Sequence, residues 1–429
     1  MKETLKHIIE RILFFEASIL IARKKPKIIG ITGNVGKTST KDAIYTVIRQ
    51  HVRARKSEKS FNSDIGVSLT ILGLPNAWGN IFGWVINIVE GFFIALFSRS
   101  YPEWLVLEMG VDRPGDMKRL SSLVRPDIVV LTRFPDVPVH VEYFKTPEAV
   151  MEEKMELVRA LKPEGTVIFN NDDENIRTCL RETSVHTIGF GKSVASPYMA
   201  SDETVLYEEG APVGYEYTIS HGVEKGIVKN IGTIGTHNAS TASAAFAVAG
   251  LLGVPLATAI LAFNAHETAP GRMKLIAGIK GSTIIDDTYN ASPIAVEEGI
   301  DTLASIDGAK RRIAVIGDML ELGQYSVKEH EKIGAHLSTK IDALMTVGVR
   351  AKSIAESARE GGMKDSRIIE ISDADEGAEA LRELIKTGDV IYIKGSQGMR
   401  MEKIVKAIMR EPERAEQLLV RQDDMWQVR

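Results

Sequence analysis

The chain has 429 residues but a single cysteine, Cys179. An internal disulfide framework is excluded, and one thiol suits a reducing cytoplasm. An excess of charge of one sign is also missing. The net charge is −4, so nothing global points to nucleic acid as a partner. There is no solenoid period and no low-complexity tract. No secretory leader is expected, because Glu3, Glu10 and Glu16 interrupt the first apolar stretch.

Long apolar runs are scarce. The one that stands out, Ile81 to Ser98, approaches the length of a membrane span. Glu90 lies mid-segment and would cost about 2.5–3.5 kcal/mol on insertion. Asn80, Asn87, Glu90 and Gly91 fall towards one helical side, and Trp78, Trp84 and Trp104 lie in or near the run. Nearer the start, Leu5, Ile8, Ile9, Ile12 and Leu13 make an amphipathic stripe, followed by Arg23, Lys24, Lys25 and Lys27. The expectation is that these two segments pack on each other. Peripheral attachment to a membrane is the alternative, and a true span is disfavoured.

Against these absences stands an ordinary soluble-enzyme composition, 44% hydrophobic and 26% charged. The length exceeds one core, so two or three domains are expected. The most informative stretch runs from Lys27 to Thr40. Ile28 and Ile29 suit a buried strand, while Ala43, Ile44, Val47 and Ile48 recur at helical spacing. Between them lies Gly33-Asn34-Val35-Gly36-Lys37-Thr38-Ser39. Backbone amides at a helix N-terminus favour phosphate oxygens. Lys37 would reach the outer phosphates and Thr38 would hold Mg²⁺. Ile31 occupies the place of the motif's usual first glycine, with Gly30 and Gly33 on either side.

Strands and helices then alternate. Trp104 to Glu108, Asp127 to Thr132 and Thr166 to Asn170 read as buried strands, with a helix around Pro147 to Leu161. Ser196 to Gly235 reads as short antiparallel hairpins. After Pro270-Gly271 a second alternating run begins, with strands at Thr283 to Asp286, Arg312 to Ile316, Ala343 to Val347, Arg367 to Ile371 and Val390 to Lys394. The fold class is α/β: a central phosphate-loop ATPase domain with a mostly parallel sheet, then a C-terminal Rossmann-like domain. The boundaries are 1–26 for an N-terminal amphipathic helix, 27–269 for the central domain and 270–429 for the last. An apolar insert lies near 77–101 and a small β-rich part near 196–236.

Polar clusters fall where strands end, the place where open α/β sheets bind ligands. Glu108 closes a buried strand, and a carboxylate there would complete a Mg²⁺ shell begun by Thr38. His140, Lys154, Gly235 to Asn238, Asp286 to Pro293, Gly317 to Gly323 and Lys394 to Arg400 make the others. Each alone is ordinary loop or cap chemistry. Together, beside a phosphate loop, they point to an active site.

In this order the stretches resemble the Mur ligases, the ATP-dependent amide ligases of peptidoglycan synthesis. The resemblance runs from about Lys27 to Ile408 and is nearest the type that adds D-alanyl-D-alanine to a UDP-muramoyl tripeptide. Phe61 to Val67 is similar to the family's asparagine-rich substrate loop. The resemblance implies ATP and Mg²⁺ as cofactors, with Thr38 and Glu108 on the metal. His140 would help hold a second metal, and Lys154 matches a lysine that the family carbamylates. Gly33, Asn34, Gly36, Lys37, Thr38, Ser39, His237, Asn238, Arg272 and Asp287 would contact nucleotide. Asn62, Ser63, Tyr289, Asn290, Lys394 and Ser396 would contact substrate. A catalytic set of Lys37, Lys154 and His140 is implied.

Three departures stand out. Only 29 residues precede Gly30, so the family's N-terminal UDP-gripping domain is expected to be missing. Thr241 stands where an adenine-contacting asparagine is usual, and the apolar insert is unusual at its place. The expected partners are a muropeptide acceptor and D-alanyl-D-alanine or a similar amine, with no nucleic acid. A cytoplasmic monomer is the expected state, with peripheral contact at the inner membrane face as the alternative. A ligase acting on a lipid-linked acceptor and a non-catalytic nucleotide-binding scaffold are the alternatives.

Overall fold

The computed structural model describes residues 2–58, 60–423 and Trp426. Two sheets organise them. The first uses β1 (Lys27–Thr32), β2 (Ala54–Lys56), β3 (Trp104–Glu108), β4 (Ile128–Leu131), β5 (Thr166–Asn170) and β6 (His186–Gly191). It continues into β7 (Tyr198–Glu208), β8 (Ala211–His221) and β9 (Glu224–Ile231). Their order is β2-β3-β1-β4-β5-β6-β7-β8-β9. Pairing is parallel from β2 to β7 and antiparallel from β7 to β9.

The helices that matter here are α1 (Lys2–Lys24), α2 (Lys37–Ile48), α3 (Asp64–Leu72), α4 (Ile81–Phe97), α5 (Asp116–Leu123), α6 (Pro147–Arg159), α7 (Glu174–Arg181) and α8 (His237–Leu251). β1 is apolar along its length because both of its faces are covered. Ile29 and Ile31 join the core that includes α2 and α8, while Ile28 joins the opposite core with α1 and α3. From β1 the chain runs out to β2 at the edge, returns through β3 and then crosses to β4 on the other side of β1. That reversal opens a crevice at the carboxyl end of β1.

The second sheet holds β10 (Lys274–Ala277), β11 (Thr283–Asp286), β12 (Arg311–Gly317), β13 (Ala343–Val347), β14 (Ile368–Ile371) and β15 (Asp389–Lys394). The order is β10-β11-β15-β12-β13-β14, parallel except for the β10–β11 pair. Thr233 forms a bridge to Lys274, so the two sheets meet through backbone.

Three expectations need correction. The segment read as short hairpins forms 11-, 11- and 8-residue strands that extend the first sheet. Its buried Tyr215, Tyr217 and Ile219 pack into the main core, which lengthens the strands beyond isolated hairpins. On α1, Ile9 and Leu13 are buried, but Leu5 and Ile8 are exposed, so the stripe is only half used. On α4 the small and polar side is the inner one: Asn87, Gly91 and Ala95 are buried, whereas Glu90 faces out. α1 and α4 do pack on each other. Among the described residues no helix is long and apolar enough to cross a membrane.

That α1–α4 contact buries the carboxyl of Glu16, whose Oε2 has no hydrogen-bond partner among the described residues. Burial raises its pKa from 4.5 to about 7. The folded state therefore binds the extra proton between those values, and stability falls as pH rises through that window. Glu16→Gln should raise the melting temperature more at pH 8 than at pH 4.5. An equal gain at both pH values would show that Glu16 has the same pKa in the folded and unfolded chain, against the raised value.

Candidate active site

A cleft of about 530 Å³ lies at the carboxyl end of β1 and is walled by both domains. Its floor is the loop from Gly33 to Ser39. Gly33 has φ +148°, and an added Cβ would sit 2.0 Å from Thr132 Oγ1, so only glycine fits there. The loop is tied to the end of β4. Asn34 N donates to Arg133 O at 2.8 Å, and Thr132 Oγ1 donates to Val35 O at 2.7 Å. The next residues start α2, which aims its unpaired amides into the cleft.

Parallel pairing of β1 with β3 places Glu108 opposite Ile31, beside this loop. Thr38 Oγ1 donates to Glu108 Oε2 at 2.8 Å, and Asn62 Nδ2 donates to Oε1 at 3.2 Å. Glu108 is buried, with Lys41 Nζ 4.0 Å away. Lys37 Nζ donates to Gly33 O at 2.9 Å. Enclosure by the cleft lowers its pKa, with the Glu108 charge opposing.

On the next wall, His140 sits at φ +71° with Nδ1 2.9 Å from Glu321 and Nε2 3.5 Å from Asp112. Its ring holds the Glu321 carboxyl below the usual carboxylate range. Lys154 reaches the cleft from α6 and is fully enclosed. Burial first, and the Lys37 charge second, lower its pKa to about 7. His237 opens α8 and lines the cleft, and burial lowers its pKa to about 4. It is neutral at pH 7 and meets a ligand as a hydrogen-bonding group rather than a cation.

The second domain supplies the roof. Arg272 donates to Thr38 Oγ1 at 2.9 Å while its guanidinium stacks 4.1 Å from the Tyr289 ring. Arg133 pairs with Glu298 at 3.0 Å across the same gap. Lys394 is committed to Asp287 Oδ2 at 2.5 Å and to the Asn290 carbonyl at 2.9 Å. Asn290 Oδ1 accepts from Gln397 N, and Ser396 Oγ accepts from Leu320 N.

Two of the expected contacts lie elsewhere. Ser63 takes the N-cap position of α3 and does not line the cleft. Asn238 is buried and donates to Gly235 O at 3.1 Å, so its amide braces the turn before α8. Sequence reasoning missed Ser60, Lys41, Arg133 and Glu298. Lys41 carried a signal, since it falls one helical turn after Lys37. Arg133 and Glu298 carried none, because their meeting depends on how the domains dock.

Residues 91–249 match the Mur ligase middle domain, and residues 271–397 match the Mur ligase glutamate ligase domain. The UDP-N-acetylmuramoyl-tripeptide–D-alanyl-D-alanine ligase of Bacillus subtilis is 31% identical over 390 residues, covering 90% of this chain and 76% of that protein. The chain belongs to the Mur ligase family. A Mycobacterium leprae ligase of the same description is 28% identical, over 89% of this chain and 73% of that one. The Thermotoga maritima MurF ligase, solved in complex with ADP, superposes with a TM-score of 0.75 at 26% identity, over 94% of this chain and 84% of that one. MurF from Acinetobacter baumannii shares the fold, with a TM-score of 0.74 at 23% identity, over 92% of this chain and 79% of that one.

The cleft suits a magnesium ion that arrives with a nucleotide. Thr38 and Glu108 offer hard oxygen donors side by side. Among the described residues no group of three histidine, cysteine or acidic side chains makes a metal centre by itself. Mg²⁺ is commonly held in this way, by one or two protein oxygens with substrate phosphates completing the octahedron. Glu108→Gln keeps an acceptor for Thr38 and removes the charge. ATP turnover should fall about 10²–10³-fold, the size expected for losing one charge-stabilising group. A variant as active as its parent would remove Glu108 from the metal shell.

Proposed function

We propose that this Mur ligase joins D-alanyl-D-alanine to a muramoyl tripeptide with ATP and Mg²⁺. The observation that carries the reading is the Thr38–Glu108 pair at the phosphate loop, capped by Arg272 from the second domain. It is supported by the B. subtilis relative, whose description names that tripeptide and dipeptide.

The chemistry assigns work to each wall. Loop amides and the Lys37 ammonium hold the β- and γ-phosphates. Thr38 and Glu108 would hold a magnesium ion, which would supply neutralisation of the phosphate oxygens. The acceptor carboxylate attacks the γ-phosphorus, the bond to the ADP oxygen breaks, and an acyl phosphate forms. The amine then attacks the acyl carbon, phosphate leaves and the nitrogen loses a proton. Arg272 and the Arg133–Glu298 pair hold the domains together over the acyl phosphate and keep water from hydrolysing it.

Lys154 fits the carbamylated role. Carbon dioxide adds to a neutral amine, and a pKa of about 7 leaves much of this lysine neutral at physiological pH. The resulting carboxylate-like group would stand with His140 at a second metal position. Lys154→Met should therefore lose about 10²-fold or more in turnover while ATP still binds.

A second reading keeps the chemistry and places the acceptor on a lipid carrier; the exposed apolar face of α4 favours it. One assay addresses both. Phosphate release should require D-alanyl-D-alanine and either the UDP-linked or the lipid-linked muramoyl tripeptide, and Lys37→Ala should abolish it. Release at the Lys37→Ala level with both acceptors would contradict the ligase reading and leave a nucleotide-binding scaffold.

A further inference from the structure

We infer that the outer face of α4, together with the adjoining edge of α1, docks on an anionic lipid bilayer. The inference stands apart from the choice of acceptor. It starts from an inverted helix. A helix on a soluble protein turns its bulky apolar side inward and its polar side outward. On α4 the inward positions are Asn87, Gly91 and Ala95. The outward ones include Phe82, Phe93 and Phe97, at 82%, 56% and 64% exposure.

The inversion is fixed by close contacts. Asn87 Nδ2 donates to Pro75 O at 2.8 Å. Gly91 lies against the Glu16 carboxyl, where an added Cβ would be 2.1 Å from Oε2. A larger residue there would have to displace the Glu16 carboxyl, so these contacts hold the small side of α4 inward and leave its phenylalanines outside. A single exposed apolar side chain needs no explanation, but a helix-long row of them, broken at Glu90, marks an interaction surface.

The borders of the row identify the partner. At its start Trp78 is half-exposed, and the Trp84 Nε1 donates to the Trp78 carbonyl at 2.8 Å. Indoles favour the headgroup level of a bilayer. At its end the chain gathers cations. Arg23 donates to the carbonyls of Ile94, Leu96 and Ser98, and Lys24 donates to Arg99 O. Exposed Lys25 and Arg99 lie beside them. An apolar row bounded by indoles and cations complements acyl chains bounded by anionic headgroups.

A groove of about 550 Å³ between α1 and α4, walled by Ile12, Phe15, Ile19, Val89 and Phe92, deepens the face. Fluid acyl chains fill such a groove without a matched ridge. Since no described helix is long and apolar enough to cross, the face lies on the bilayer. α1 also packs on α3, which follows the loop carrying Asn62. The docked face therefore backs onto the helix that follows the Asn62 loop, and Asn62 donates to Glu108.

Flotation of the full chain with vesicles tests this. The protein should rise with phosphatidylglycerol–phosphatidylcholine vesicles at low salt, and much less with phosphatidylcholine alone or at high salt. Its tryptophan emission should shift to the blue on binding. Phe82→Glu/Phe93→Glu/Phe97→Glu should cut flotation about tenfold or more, with an unchanged melting curve and unchanged ATP turnover. Lys25→Glu/Arg99→Glu, which leaves the apolar row intact, should lose the preference for anionic lipid. A parent that stays with the soluble fraction at low salt would overturn the inference. So would equal flotation with neutral vesicles, or a parent dimer that the triple variant dissociates, since a second copy would then be the occupant.

Discussion

Thr38 and Glu108 meet because β1 and β3 are parallel neighbours, and the rest of the site is arranged around that contact. The register sets Glu108 across from Ile31, seven residues before Thr38 in the chain. The sharp turn at Gly33 then folds the loop back over the strand end. A helix N-terminus, a hydroxyl, an ammonium and a buried carboxylate thus share one crevice. The carboxylate stays buried because both of its oxygens are satisfied: Asn62 and Thr38 donate to it, and Lys41 lies within ion-pair reach. A bound triphosphate would enter a pocket already organised for negative charge on one side and a metal on the other.

The second domain completes that pocket from above. Arg272 reaches Thr38, Glu298 reaches Arg133 and Glu321 reaches His140. The last pair is unusual in its backbone. His140 and Glu321 both adopt positive φ, at 71° and 64°. Such conformations cost on the order of 1–3 kcal/mol each in residues other than glycine. Both occur where the domains touch at the cleft.

The phosphate loop, the buried parallel strands and Glu108 were legible in the sequence, because each depends on local pattern: a strand, a glycine turn, a helix start. The antiparallel extension was only half legible. Tyr215 and Tyr217 showed alternation, but strand length came from packing against α8, which no local pattern encodes. Asn238 and Ser63 were misplaced for the opposite reason. Their residue types suit ligand contact, but Ser63 stands at the start of α3 outside the cleft lining and the Asn238 amide is taken by the Gly235 carbonyl. The Arg133–Glu298 pair was invisible, since 165 residues separate its partners in the chain. α4 is the instructive case. Its polar positions were visible as one side, but the side facing the protein is set by the close approach at Gly91.

The direct measurement of the central claim is a crystal structure with a non-hydrolysable ATP analogue and magnesium. The account predicts β- and γ-phosphates on the Gly33–Thr38 loop, with the ion bound by Thr38 Oγ1 and a Glu108 oxygen. A triphosphate bound elsewhere, or a Glu108 carboxylate turned away from the ion, would contradict it.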